Sequence, residues 1–175
     1  VTERVQLEHL VEATVAEFGR LDIVVNNAGG WPPQPVLRTS ERAFEDAFRF
    51  NVTSAFLMTR FSVPHMLETA GGGVFINISS RAAYGPTPGS GYYAAAKAAV
   101  NSLTQTLSIE LAPTIRVNGI APGAVPTEIM MTALDLDEDS VQKLANTIPL
   151  KRLGTPTDMG ATALYLTGFF SSFPY

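Results

Sequence analysis

The sequence predicts an α/β fold, a parallel sheet with helices packed on both faces. Short apolar runs rich in β-branched residues recur at 21–25, 74–78 and 115–120, with helical segments between them. Charged residues make up 16% of the 175 positions and 46% are apolar. An average domain is about a quarter charged, so this is the composition of buried strands rather than of a disordered chain. The length suits one ordinary domain with room for a core.

The elements follow in order. Val5, Leu7, Leu10, Val11, Thr14 and Phe18 share helical spacing over 2–18, with Thr2 as the expected N-cap and Gly19 as the stop. Leu21 to Val25 reads as a buried strand. Ser40 to about Thr69 reads as helix with a bend expected near Pro64. The glycines at 71–73 form a loop, and Val74 to Ile78 is a second strand. Gly91 to Leu111 is a long helix closed off by Pro113, and Ile115 to Ile120 is the third strand. Thr155, Pro156 and Asp158 spell a capping box with proline at the first helical position. Segments 31–35 and 85–91 are Pro/Gly-rich loops at strand C-termini, where an open α/β sheet places its ligand.

Composition narrows the function classes. Twelve basic and 16 acidic residues leave a net charge of −4, which argues against nucleic acid or an anionic membrane as the main partner. Zero cysteines exclude a disulfide framework, a thiol nucleophile and a cysteine metal site, and fit a cytoplasmic protein. The N-terminus lacks the basic start and apolar run of a signal peptide. The apolar stretch 159–175 is shorter than the roughly 20 residues a membrane span needs. His9 and His65 stand far apart, so no metal site is expected.

One spacing carries chemistry. Tyr93 and Lys97 lie one turn apart on one helix face. A free tyrosine has a pKa near about 10, and a lysine cation beside it favours phenolate. Tyr93 is then a candidate general acid/base, and Ser80, at the end of a strand, a candidate donor to the same substrate oxygen. Alone, a Tyr-x-x-x-Lys spacing is common on solvated helices.

The surrounding motifs change that reading. Asn26-Asn27-Ala28-Gly29 follows the first strand, and Asn51-Val52 is read as opening a helix. Asn77-Ile78-Ser79-Ser80 ends the second strand, Arg116-Val117-Asn118 lies in the third, and Pro122-Gly123 follows it. This order resembles the short-chain dehydrogenase/reductase family over nearly the whole chain, up to about Leu166. The resemblance implies a Rossmann-like doubly wound sheet, of which three core strands are recognisable here. It implies a catalytic set of Asn51, Ser80, Tyr93 and Lys97. The family's serine precedes its tyrosine by thirteen positions, which selects Ser80, with Ser79 packing inward. Tyr93 is selected over Tyr92 because only Tyr93 has a lysine four residues on. The resemblance further implies that Lys97 holds the nicotinamide ribose and that Asn51 holds a relay water. Asn26, Ala28, Gly29, Pro122, Gly123, Val125 and Thr127 would join Tyr93 and Lys97 around NAD or NADP. Residues 127–150 look like the family's substrate lid. The substrate class would be a small secondary alcohol or ketone.

The family's opening half, with its glycine-rich phosphate turn and two further strands, has no counterpart in this sequence. About 60 residues would supply it. The domain is therefore expected to be incomplete, lacking its first βαβαβ half. Two readings follow: part of an active oxidoreductase, or a truncated chain that self-associates without binding cofactor. Helices 51–69 and 93–111 resemble those that pair across the family's dimers, so a homodimer or homotetramer is expected of the complete protein. Residues 26–30, 116–119 and 152–154 look similar to bacterial hydroxysteroid dehydrogenases, and similar motifs occur in 3-oxoacyl-carrier-protein reductases and sugar-alcohol dehydrogenases. After Leu166 the resemblance would lead one to expect the family's last strand, where this sequence reads Phe169, Phe170, Phe173 and Tyr175.

Other features read plainly. Gly89-Ser90-Gly91-Tyr92-Tyr93-Ala94 matches a dinucleotide fingerprint by letters but follows no strand. Asp135, Asp137, Glu138 and Asp139 suit a solvated helix start better than a calcium loop. Met130, Met131 and Trp31 are candidates either for core packing or for the edge of a substrate pocket.

Overall fold

The computed structural model describes residues 1–85, 87–133 and 135–168. The expected aromatic tail from Phe169 onward lies outside them. The sheet is three-stranded and parallel, in the order β1 (Ile23–Asn26), β2 (Gly73–Ile78), β3 (Ile115–Ile120). Val24 pairs with Phe75 and Phe75 with Val117, so side chains of one orientation line up across the strands. β1 begins two residues later than the apolar run, because Leu21 and Asp22 form the entry from the preceding helix.

Alternation along each strand sends residues to two faces. One face carries Val24, Phe75, Ile115 and Val117. It is covered by α1 (Arg4–Phe18), α3 (Ser54–Ala70) and α4 (Gly91–Glu110) through Val11, Met66 and Leu107. The other face carries Val74, Ile76 and Ile120, against Met159, Ala163 and Leu166 of α7 (Pro156–Thr167). Helices thus cover both faces, as predicted.

Helix ends follow local chemistry with two departures. Gly19 closes α1 in the left-handed region at φ 74°, as expected, but the N-cap is Glu3 and makes no side-chain cap bond. Thr2 instead offers its carbonyl to Arg49 Nε at 3.0 Å. The second departure lies in the 40–70 helix. It does not break at Pro64, which sits inside α3. It divides at a π-helical turn, Arg49–Thr53, between α2 (Glu41–Phe48) and α3. Asn51 therefore sits within this turn rather than opening a helix. Its side-chain Nδ2 donates to the Ala47 carbonyl at 2.9 Å, the acceptor that an α-helix would give its backbone N–H. The Ser54 N–H reaches five residues back, to Arg49.

The capping box of α7 forms as read, with Asp158 N donating to Thr155 Oγ1 at 3.1 Å and Thr155 N to Asp158 Oδ2 at 2.8 Å. Residues 127–150 contain two short helices, α5 (Glu128–Ala133) and α6 (Glu138–Thr147). Asp137 caps α6 by accepting from Ser140 N at 2.8 Å, so the acidic run is a helix start. Among the described residues no helix is long and apolar enough to cross a membrane.

Candidate active site

All three strands run the same way, so their C-terminal ends share one edge. Ala28 and Gly29 follow β1, Ser79 and Ser80 follow β2, and Pro122 and Gly123 follow β3. The loops are tied together there. Ser79 N donates to Ile120 O at 2.7 Å and Arg81 N to Pro122 O at 2.9 Å. This is the rim where open α/β sheets hold ligands.

Helix α4 brings the Tyr/Lys pair to that rim. Lys97 is 3% exposed, and its Nζ donates to the Ile78 carbonyl at 2.8 Å. Nζ also lies 5.8 Å from the Tyr93 ring centroid. Ser79 is buried and donates from Oγ to the Lys97 carbonyl at 3.1 Å, locking α4 to the end of β2. Ser79 therefore packs inward, and Ser80 is the serine left to face Tyr93. Ser80 accepts from Ala82 N at 3.1 Å, and its hydroxyl acts on the Tyr93 phenol by favouring the ionised form.

The electrostatics differ from the sequence expectation. Burial raises the Tyr93 phenol above the ordinary tyrosine value, and the Ser80 hydrogen bond offsets only part of that. Burial also lowers the Lys97 ammonium to about 8. Lys97 does not set the direction at Tyr93, because its Nζ faces the ring and bonds Ile78 O, while both groups pay for leaving water.

Asn51 is 2% exposed and gripped on three sides. Nδ2 donates to Gly30 O at 3.1 Å and to Ala47 O at 2.9 Å, and Oδ1 accepts from Gly30 N at 2.9 Å. Gly29 explains how Asn51 and Lys97 meet. A Cβ on Gly29 would stand 2.7 Å from Lys97 Nζ and 2.8 Å from Asn51 Oδ1. Only a residue without a side chain lets both groups close over the backbone there.

The remaining predicted residues divide by what their polar atoms do. Asn26 spends its side-chain amide on Asn77, with Nδ2 to Oδ1 at 2.8 Å, so its carboxamide holds β1 to β2. Thr127 Oγ1 accepts from Met130 N at 3.3 Å and starts α5. Val125 touches the position a Cβ on Gly154 would take, at 3.1 Å, while Gly123 has open space on that side. Sequence reasoning missed the link beyond Asn77, whose Nδ2 donates to Thr104 Oγ1 at 2.9 Å. The chain Asn26–Asn77–Thr104 ties two strands to α4. Its only trace in the sequence is an asparagine at the same position in two strands, which the register pairs.

Comparison with known proteins finds relatives along nearly the whole chain. A family model described as enoyl-(acyl carrier protein) reductase matches residues 1–173. An uncharacterized oxidoreductase of Mycobacterium tuberculosis is 43% identical over 94% of this chain. The 7alpha-hydroxysteroid dehydrogenase of Escherichia coli K12 is 36% identical over 95%. The chain spans 62% and 64% of the lengths of these two relatives. A gluconate 5-dehydrogenase from Burkholderia cenocepacia, solved with NADP and tartrate, superposes with a TM-score of 0.89. It is 30% identical, over 98% of this chain and 67% of that one. With a parallel sheet, a shared C-terminal rim and relatives matched along nearly its whole length, the chain belongs to the short-chain dehydrogenase/reductase family.

Proposed function

We propose that the protein interconverts a secondary alcohol and a ketone with NAD or NADP, using Ser80, Tyr93, Lys97 and Asn51. One observation carries the reading: Lys97 Nζ and Asn51 Oδ1 converge over Gly29, with Nζ 5.8 Å from the Tyr93 ring centroid. The residues fit a nicotinamide nucleotide by their donor set. Nζ has three N–H groups and donates to Ile78 O among the described residues, so donors remain for ribose hydroxyls. When bound, the nicotinamide would supply the hydride acceptor for the alcohol and, reduced, the hydride donor for the ketone.

Tyr93 takes the hydroxyl proton of the alcohol, or returns it to the ketone oxygen in the reverse direction. Ser80 donates to that same oxygen and holds it toward the phenol. Lys97 contributes positive charge beside the ring, opposing the burial that keeps the phenol protonated. Asn51 anchors the loop at Gly30 and offers Oδ1 for a water between Lys97 and solvent. Gly123 and Ala28 line the rim with little side chain, and residues 127–150 act as the lid that excludes water. The hydroxysteroid and gluconate dehydrogenases among the relatives support an alcohol on a ring or sugar-like carbon. Exposed Phe56 on α3 and Ile109 on α4 support self-association through those helices.

The test is Tyr93→Phe in the full-length gene product. Turnover of a 7α-hydroxysteroid with NAD or NADP should fall by about 100- to 10,000-fold. Binding of NADH or NADPH, followed by nicotinamide fluorescence, should be kept. Near-normal kcat in the variant refutes the assignment.

A further inference from the structure

Three aromatic rings that this chemistry does not use sit directly behind it. Trp31 meets Tyr92 edge-on at 6.5 Å and 87°, and lies 6.5 Å from Phe50 at 55°. Each ring is the chain neighbour of a group at the site. Tyr92 precedes Tyr93, Phe50 precedes Asn51, and Trp31 follows Gly30. Gly30 is the residue that Asn51 grips through both its N–H and its carbonyl. The Tyr92 hydroxyl donates to the Pro32 carbonyl, tying the same loop to α4, and Tyr92 is 4% exposed.

The rings therefore span the gap between α4 and the π-helical turn. Large aromatic side chains have few torsions, and edge-to-face contacts are directional, so such a spacer is stiff. The Asn51 carboxamide has little freedom of its own. Both protons of Nδ2 are engaged, one by Ala47 O and one by Gly30 O. Where the loop goes, Oδ1 goes. The room is small as well, since a single methyl on Gly29 would crowd Nζ at 2.7 Å and Oδ1 at 2.8 Å.

We propose that Trp31 is a positioning residue, a wedge between Tyr92 and Phe50 that holds the Gly30 loop where Asn51 faces Lys97. The catalytic part of the inference rests on the reading of Asn51, Tyr93 and Lys97 given above. The placement of Asn51 is a structural claim that can be read without substrate.

Side-chain amide exchange of Asn51, measured by NMR on the full-length gene product, tests it. Trp31→Ala should raise the exchange rate of the Asn51 Nδ2 protons by about tenfold or more, while core amides of β2 stay protected. Trp31→Phe should restore most of the protection. In turnover of a 7α-hydroxysteroid, Trp31→Ala should cost about 10- to 100-fold in kcat with little change in cofactor KM. Added to Asn51→Ala, it should cost nothing further, since both act through one group. Unchanged Asn51 exchange in Trp31→Ala, or full additivity with Asn51→Ala, overturns the proposal. If Trp31→Ala does not fold, Trp31→Leu, which keeps an apolar side chain but removes the ring contacts, carries the same measurements. Wild-type kcat in both Asn51→Ala and Tyr93→Phe would instead bring down the catalytic reading, whatever the exchange rates show.

Discussion

Lys97 carries a cost in stability at a single residue, at the position proposed to hold the cofactor. Its ammonium is 3% exposed, and burial lowers it to about 8 from an ordinary 10.5. At pH 7 the folded chain must hold a desolvated charge that the unfolded chain leaves in water. The cost is on the order of 3 kcal/mol. The sign follows from proton counting. Between the folded value of about 8 and the unfolded 10.5, the unfolded chain binds more protons. Stability contributed by this site therefore rises as pH climbs through that window. Lys97→Met should raise stability at pH 7 by about 1–3 kcal/mol and flatten the alkaline slope, read from denaturant midpoints against pH. The same variant should lose turnover. The Tyr93/Lys97 pair was legible from its spacing and from the motifs around it. The balance of its charges was not, because desolvation depends on what packs over α4.

At the scale of the element, α7 and the 40–70 helix teach opposite lessons. α7 begins where its letters say it should, because Thr155, Pro156 and Asp158 are neighbours in sequence and complete their box locally. Arg152 adds an ion pair to Asp158 at 2.9 Å. That guanidinium, then the Thr155 N–H and hydroxyl, hold the Asp158 carboxyl down to about 2. A depressed carboxyl contributes stability that is present above 3.8 and is lost as pH falls through about 2. Amide exchange in the first turn of α7 should accelerate over that interval, and Asp158→Asn should remove the acid-dependent step. An unchanged profile in Asp158→Asn would show that the capping box does not govern this end. In the 40–70 helix, by contrast, the division falls at the π-helical turn around Asn51, which the local sequence did not announce. Asn51 takes the Ala47 carbonyl only because Gly30, far away in sequence, holds the rest of its amide. No local pattern encodes that contact.

For the whole molecule, the sheet has one well-covered face and one partly covered face. Phe75, Ile76 and Ile115 are fully enclosed. On β1, however, Ile23 and Val25 remain 47% and 46% exposed, on the face opposite Val24. α7 reaches β2 and β3 on that face, and among the described residues β1 has a sheet neighbour on one side only. An open strand edge beside exposed apolar side chains is a surface for association. The 175-residue chain expressed alone should self-associate, and the pair Ile23→Thr and Val25→Thr should raise the concentration at which it does so. Sedimentation velocity across a dilution series would detect this, and no shift with both substitutions would place the association elsewhere.

The sequence by itself determined the strands, the side of the sheet that carries the loops, the capping box and the inward packing of Ser79. These depend on short-range periodicity, on turn chemistry and on spacings within one element or motif. Tertiary structure alone decided the π-helical turn, the Asn26–Asn77–Thr104 link, the crowding of Lys97 and Asn51 over Gly29, and the Trp31 wedge. Each of these joins residues from different strands, helices or loops. Their energies come from packing and desolvation, which exist only once those distant segments have come together.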